Sequence, residues 1–259
     1  MSNLVLKRYL GKMWPAQQVG RKIALLYHSV GNSSWALDKK MFYDQIDWLC
    51  DHYQVLPMTE IIHSKPNKEI QIALTFDDGY ATLYDQVAPK LSDKKISAVI
   101  YLNTGWIASC QKERKQSRVE LGHYPNESFL TWEEVKKLYD AGWEIGSHGV
   151  NHYNFAQINY DQMYQELTLS KMHIEEHLKT NCLHFAYPWG RYSKKVKQSA
   201  YKIGYRYAAA AYHAPLDIHS DLFALPRVNI AKEYSFNDFK NIILGKWDYL
   251  GFIHKIRGL

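Results

Sequence analysis

Short apolar runs alternate along this chain with stretches of helical spacing, and that alternation restricts the fold more than any other feature. The runs Lys22 to His28 (KIALLYH), Ile70 to Phe76 (IQIALTF), Ser97 to Asn103 (SAVIYLN), Trp143 to His148 (WEIGSH), Leu183 to Pro188 (LHFAYP) and Tyr205 to Ala211 (YRYAAAA) read as strands. Helical patterns lie between them. They cover Lys39 to Tyr53, Leu83 to Lys95 with Pro89 as a kink or restart, Asn159 to Thr180, and Ser193 to Gly204. Thr131 to Gly142 carries a full helix signature, with Thr131 as N-cap, Glu134 as its capping-box partner and Gly142 as the stop. Strand–helix alternation of this kind predicts a single α/β domain on a mostly parallel sheet or barrel. The stretch from Asn103 to Phe129, basic at CQKERKQSR, reads as a long loop, a length usually tied to function.

In such folds the chemistry collects at the C-terminal ends of the strands. The polar residues there are His28, Asp77 and Asp78, His148, and Tyr187 with Pro188. TFDDGY ends an apolar run in two adjacent carboxylates, which are costly beside an apolar interior unless something positive holds them. SHGVNH sets His148 and His152 four apart, so that one helical turn would bring both imidazoles to one side of a divalent metal. Each motif alone is ordinary, since Asp-Gly is turn chemistry and paired histidines are more often surface or core residues. Together they supply two imidazoles and a carboxylate with open positions, the donor set of a hydrolytic metal. One acid can then bind the metal while its neighbour stays free to take a proton, and the metal's charge offsets the cost of ionising both.

TFDDGY, LTWEEVKKLYDAGWEIGSHGVNH and FAYPWG resemble the polysaccharide deacetylase family of carbohydrate esterases over about Lys22 to Ile230. The resemblance implies a distorted (β/α) barrel and hydrolysis of N-acetyl, sometimes O-acetyl, groups on amino sugars. It makes Asp77 the general base and Asp78, His148 and His152 the ligands of a divalent ion, zinc first, with cobalt, nickel or iron as alternatives. Three departures stand out. Gly149 replaces the usual Ser or Thr after the first histidine, so the loop must be braced otherwise, with Asn151 as a candidate. Ala186 replaces the arginine that opens the third motif; Arg227 is the candidate partner for Asp77, with Arg191 the runner-up. No Leu-x-His follows the third motif, but Leu26-Tyr27-His28 supplies one at the first strand. This resembles the permuted subgroup that deacetylates poly-N-acetylglucosamine. His28 is then the general acid and Leu26 a wall for the acetyl methyl, while Tyr187, Pro188 and Trp189 contact substrate. The family's Asp-x-x-Asp-Trp motif, whose acid orients the catalytic histidine, is missing.

Composition adds context. Twenty Tyr and eight Trp fit a sugar-binding cleft, where a flat ring stacks on a pyranose, although any single one more often fills the core. A net charge of +6 and a pI near 9.0 suggest an anionic partner. No Arg/Lys-rich motif points to nucleic acid, so a membrane surface ranks first. Cys50, Cys110 and Cys182 have neither disulfide-scaffold nor metal spacing and fit a reducing compartment. No apolar stretch approaches the roughly 20 residues of a spanning helix, and the expected location is cytoplasmic, peripheral on the inner face of the membrane. The expected organisation is a basic amphipathic extension over 1–21, a catalytic domain over 22–230 and an amphipathic helical extension over 231–259. The last carries Phe239, Ile242, Ile243, Trp247, Leu250 and Ile253 among Lys240, Lys246, Lys255 and Arg257. These apolar residues either anchor the protein on an anionic membrane or cap the barrel. Two other functions share the same motifs: a deformylase or amidase with the same centre, and a non-catalytic carbohydrate-binding relative.

Overall fold

The computed structural model describes residues 3–17, 19–31, 33–65 and 68–256. In chain order the elements are α1 (Asn3–Met13), β1 (Lys22–Tyr27), α2 (Lys39–His52), β2 (Gln54–Val55), α3 (Met58–His63), β3 (Gln71–Phe76), α4 (Ala88–Asp93) and β4 (Val99–Leu102). They continue with α5 (Trp132–Asp140), β5 (Glu144–Ser147), α6 (Tyr160–Leu178), β6 (His184–Ala186), α7 (Lys194–Ile203), β7 (Tyr207–Ala209), β8 (Val228–Asn229), α8 (Phe236–Ile243) and α9 (Tyr249–Ile256). All strand pairs are parallel, in the order β7-β6-β5-β4-β3-β1-β8, with β2 on the free first half of β3. The sheet curls until its ends meet. Leu225 bridges β7 at Ala209, and three residues on Val228 pairs with Leu25 of β1. One short segment thus stitches the seam of a distorted (β/α) barrel.

The sheet divides the core in two. On β1, Ile23, Leu25 and Tyr27 belong to the large cluster under the helices, while Ala24 belongs to a smaller cluster with Ala73, Val99, Tyr101, Ala186 and Ala209. Period-2 alternation assigns the two faces. The inner set is mostly small because the curled sheet leaves little room and Tyr101 fills much of it. A Cβ on Gly146 would meet the Tyr101 ring at 2.7 Å. The outer face is bulky and branched, as expected of strands covered by helices.

Helix boundaries follow local chemistry. The Thr131–Glu134 capping box opens α5, Ser193 caps α7 and Asn159 caps α6. The stretch from Leu83 opens with a wide turn to Val87 and restarts as α4, with Pro89 in the first turn, where its missing N–H costs nothing. The C-terminal stretch expected as one amphipathic helix is two: Gly245, at φ +77°, breaks it between α8 and α9. Phe239, Ile242, Ile243 and Trp247 are buried, so α8 spends its apolar face on the core. Helix α1 lies across this region. Arg8 pairs with Asp238 at 2.6 Å, Lys7 Nζ donates to the Tyr234 hydroxyl at 2.9 Å, and the Tyr249 hydroxyl donates to Lys7 O at 2.8 Å. Arg257 lies outside the described residues.

The crowding at Gly146 sets an expectation. Gly146→Ala should destabilise the fold by about 1–3 kcal/mol through overpacking against Tyr101. Urea unfolding at unchanged m measures it, and full stability would show that the barrel interior has slack.

Candidate metal and catalytic site

Alternation along the strands carries the inner face up to a rim at their C-terminal ends. Thr75 and then Asp77 follow Ala73; Asn103 follows Tyr101; His148 follows Gly146; Leu26 and then His28 follow Ala24. Residues from these ends surround a cavity of about 430 Å³ lined by Leu26, His28, Asp77, Asp78, His148, His152, Trp189 and Arg227. Eight of the ten residues expected at the site therefore face one space.

Asp77 is held by the arginine that follows the seam bridge. Arg227, with a side chain 0% exposed, donates from one terminal nitrogen to Asp77 Oδ1 at 2.6 Å and from the other to Oδ2 at 2.8 Å. Its Nε–H donates to Ala210 O at 2.9 Å, and its plane lies over Tyr101. A two-pronged, charge-assisted contact of this kind compensates two buried charges. Burial alone would raise the Asp77 pKa; the Arg227 charge, His148 and the arginine hydrogen bonds outweigh it and bring it down to about 2. Asp77 is therefore ionised at any working pH. Arg191, the other candidate partner, is exposed.

Asp78 reaches the same cavity by a backbone device. On an extended strand it would point away from Asp77, but its φ of +73° and that of Gly79 at +84° turn it inward. Asn103 Nδ2 donates to its Oδ1 at 3.1 Å. His148 Nε2 and His152 Nε2 lie 3.7 and 3.5 Å from that same oxygen, and one donor atom from each of the three residues lies within 4.8 Å of the others. The His148 ring contacts the Ala186 carbonyl through Nδ1 at 2.8 Å. A carbonyl only accepts, so Nδ1 carries the proton and Nε2 presents its lone pair to the cavity. Burial pushes His148 down to about 4, against the upward pull of Asp77, which keeps the imidazole neutral as a ligand must be. Two imidazole nitrogens and a carboxylate fit a divalent cation.

The histidines do not meet through a helical turn. Residues 148–152 form an irregular loop, with Gly149 at φ +85° and His152 at φ +61°. The loop wraps around Glu166 of α6, a residue the motif reading missed. Glu166 Oε2 accepts from Val150 N–H at 2.7 Å and Asn151 N–H at 2.9 Å, and Oε1 accepts from Asn151 Nδ2 at 2.7 Å. Asn151 does take part in the bracing, but the carboxylate is its centre. At the glycine, Gly149 N–H donates to Ser147 Oγ at 3.1 Å. A Cβ there would meet Glu166 Oε2 at 3.1 Å in a backbone conformation that favours glycine.

His28 lies against Tyr124, stacked at 5.3 Å, and Tyr124 stacks in turn on Tyr80 at 5.5 Å. An aromatic ring from the Asn103–Phe129 loop thus sits where the sequence offered no orienting acid. Trp189 is 55% exposed, and its ring passes over Gly122 and within 5.2 Å of the His152 ring. Tyr187 is a correction. It continues the β6 alternation beside Phe185, is fully buried, donates its hydroxyl to Phe223 O, and is not part of the cavity wall. Pro188 is likewise buried outside the cavity wall and shapes the turn that presents Trp189.

Three outcomes are expected of this geometry. Arg227→Met should cost about 3–5 kcal/mol by stranding the buried Asp77 carboxylate, and adding Asp77→Asn should recover part of that stability in urea titrations. Full stability in the single variant would contradict the pairing. Glu166→Gln should weaken cation affinity by about 10–100-fold with the fold intact, as loss of outer support does; competition with a chelating indicator reads this. Retention of cation should persist below the ordinary histidine value of 6.5 and fail as pH falls toward 4, where His148 gains a proton and loses its lone pair. Dialysis at stepped pH with metal analysis measures the midpoint, and a cation retained undiminished well below pH 4 would contradict release by protonation of His148.

Comparison with known proteins agrees with this construction. The family profile described as polysaccharide deacetylase matches residues 64–208, more than half of the chain. Bacillus subtilis (strain 168) YxkH is 26% identical over 221 residues, covering 83% of this chain and 73% of its own. The poly-beta-1,6-N-acetyl-D-glucosamine N-deacetylase of Staphylococcus aureus (strain MRSA252) is 22% identical over 228 residues, covering 83% and 73%. Among solved structures, Streptococcus pyogenes deacetylase PplD in complex with acetate superposes with a TM-score of 0.72 at 22% identity, covering 88% of this chain and 99% of its own. IcaB from Ammonifex degensii gives a TM-score of 0.72 at 20% identity, covering 90% and 99%, so the fold is shared. With the family profile spanning the barrel from before β3 into β7, this chain belongs to the polysaccharide deacetylase family.

Proposed function

We propose that this protein is a divalent-metal-dependent hydrolase that removes N-acetyl groups from an amino sugar within a polysaccharide, oligosaccharide or lipid-linked glycan of the cell envelope. The observation that carries the reading is the pairing of a three-donor cluster, Asp78, His148 and His152, with a second carboxylate, Asp77, that Arg227 holds beside it. Two imidazoles and one carboxylate suit zinc first, and the same set is met with ferrous iron, cobalt or nickel. A cation held there supplies Lewis acidity, polarising the amide carbonyl and lowering the pKa of a coordinated water.

The chain's own groups do the rest. Asp77 Oδ2 lies 3.7 Å from His148 Nε2, so its free lone pairs face the place where a nucleophilic water would stand. Its low pKa makes Asp77 a weak base by itself, so a proton transfer to it would rely on the acidity that a cation held by Asp78, His148 and His152 would lend. His28, which lines the same cavity as Asp77 and Asp78, would give a proton to the departing amine, since an amide nitrogen leaves badly as an anion. Leu26 would bound the acetyl methyl, and Trp189 would offer its exposed face to a pyranose ring. An N-formyl substrate would use the same centre, and only its smaller acyl group would distinguish it. No feature of the cavity favours that substrate over N-acetyl.

Asp77→Asn should retain the cation and lose turnover by about 10²–10⁴-fold, the usual worth of a general base. His148→Ala should lose the cation. Acetate release from short N-acetylglucosamine oligomers, run beside N-formyl analogues and with metal analysis of each variant, separates the outcomes. A near-normal rate in Asp77→Asn would overturn the base assignment. Sugar binding without any released acid would favour a non-catalytic carbohydrate-binding protein.

A further inference from the structure

We infer that the catalytic cavity, on the deacetylase reading above, takes a glycan carrying a singly charged oxyanion, a carboxylate or a phosphate diester, and that Lys7 of α1 recognises that group. Lys7 lines the same cavity as His28, Asp77, Asp78, His148, His152 and Arg227. It lies outside residues 64–208, the stretch that the family profile matches. Two other basic residues nearby are already paired. Arg8 meets Asp238 at 2.6 Å, and Arg21 meets Asp248 at 2.5 Å. Lys7 differs from both: among the described residues no carboxylate lies within ion-pair distance of it. Its Nζ instead donates to the Tyr234 hydroxyl at 2.9 Å and lies 5.2 Å from the centroid of the Tyr234 ring and 6.0 Å from that of Trp247.

The acids of the cavity are committed elsewhere. Arg227 holds both oxygens of Asp77, and Asp78 belongs to the three-donor cluster, where a divalent cation would make the space more positive still. His213, a further wall residue, has its Nε2 3.5 Å from Asp248, the acid that Arg21 also occupies. An ammonium held against aromatic rings and a hydroxyl keeps its charge for an anion from outside. Its place in the wall is fixed by the backbone behind it. The Tyr249 hydroxyl donates to Lys7 O at 2.8 Å, and a Cβ on Gly11, one turn along α1, would meet Trp247 at 2.8 Å.

The chemistry favours a charged group over a sugar hydroxyl. Tyr234 already gives Lys7 an uncharged oxygen, so a second one would add little. An oxyanion would make a charge-assisted hydrogen bond, roughly twice as strong. The Tyr234 hydroxyl, also in the cavity wall, accepts from Lys7 and can donate its own proton to the same oxyanion. The cavity, about 430 Å³, is of small-ligand size. A sugar seated at Asp77 and Asp78 therefore brings its own substituents, or those of the adjoining residue, to Lys7.

Calorimetric titration of the cation-loaded full chain with three ligands built on one sugar tests this. They are the methyl glycoside of N-acetylglucosamine, the same glycoside oxidised to a carboxylate at C6, and N-acetylglucosamine carrying a methyl phosphate diester at C1. At least one charged ligand should bind about 10–100-fold more tightly than the neutral one, the worth of a hydrogen bond to a charged group. Which of the two gains identifies the oxyanion. In Lys7→Met, which keeps the apolar stem, that ratio should fall to near one, with metal content matching the wild type. Binding is read without turnover, so a protein that shows the ratio but releases no acetate would sink the deacetylase reading alone. Charged ligands that bind the wild type no more tightly than the neutral one, or not at all, overturn the proposal. So does a preference that Lys7→Met leaves undiminished, which would assign it to the bound cation.

Discussion

The contact between Arg227 and Asp77 is the point on which the barrel and the site both turn. The arginine belongs to the segment that closes the seam, two residues after Leu225 bridges β7 and one before Val228 joins β1. The aspartate ends β3 on the far side of β1. Their two-pronged contact spans the barrel interior. It also explains the composition beneath it: a guanidinium and the Tyr101 ring occupy space that the inward positions of Ala24, Ala73, Gly146, Ala186 and Ala209 leave open. A buried pair of this kind contributes little net stability against a well-packed apolar alternative. What it secures is a carboxylate fixed in position and charge at the rim.

Around that anchor the site is built from backbone that an ordinary strand end would not adopt. Asp78, His152 and Trp189 are three of the few non-glycine residues with positive φ, and all three line the cavity. Strain of this sort persists only where surrounding contacts over-determine it. Here those contacts are named: Asn103 on Asp78, Glu166 beneath the loop that ends in His152, and Gly122 beneath the Trp189 ring. The long Asn103–Phe129 segment supplies two of these supports, and Tyr124 for His28 besides. Its length is spent on packing the reactive rim, not only on contacting substrate.

Several of these arrangements could be read in advance, and several could not. Asp77, Asp78, His148 and His152 announce themselves because strand-end carboxylates and paired imidazoles have few structural uses in that combination. Arg227 could be ranked ahead of Arg191 as the partner of Asp77 but not fixed there, because charge pairing across 150 residues leaves no local trace. Glu166 was concealed on a helix where an acid is unremarkable. The histidine spacing suggested a helical turn because four residues is a helical interval. The chain instead uses Gly149 at positive φ, which the interval cannot distinguish. Tyr187 looked like a sugar contact from its motif, yet the two-residue period of β6 turns it beneath the helices with Phe185.

The sequence by itself determined the parallel α/β plan, the strand ends that carry the chemistry and the residue types able to hold a cation. Those properties follow from periodicity and local donor chemistry, which are written along the chain. Tertiary structure alone decided which arginine faces Asp77, which acid braces the histidine loop, which aromatic ring backs His28 and which N-terminal lysine reaches the cavity. Each of these is a choice among chemically equivalent side chains, and only closure of the barrel, by bringing distant segments within hydrogen-bonding reach, makes it.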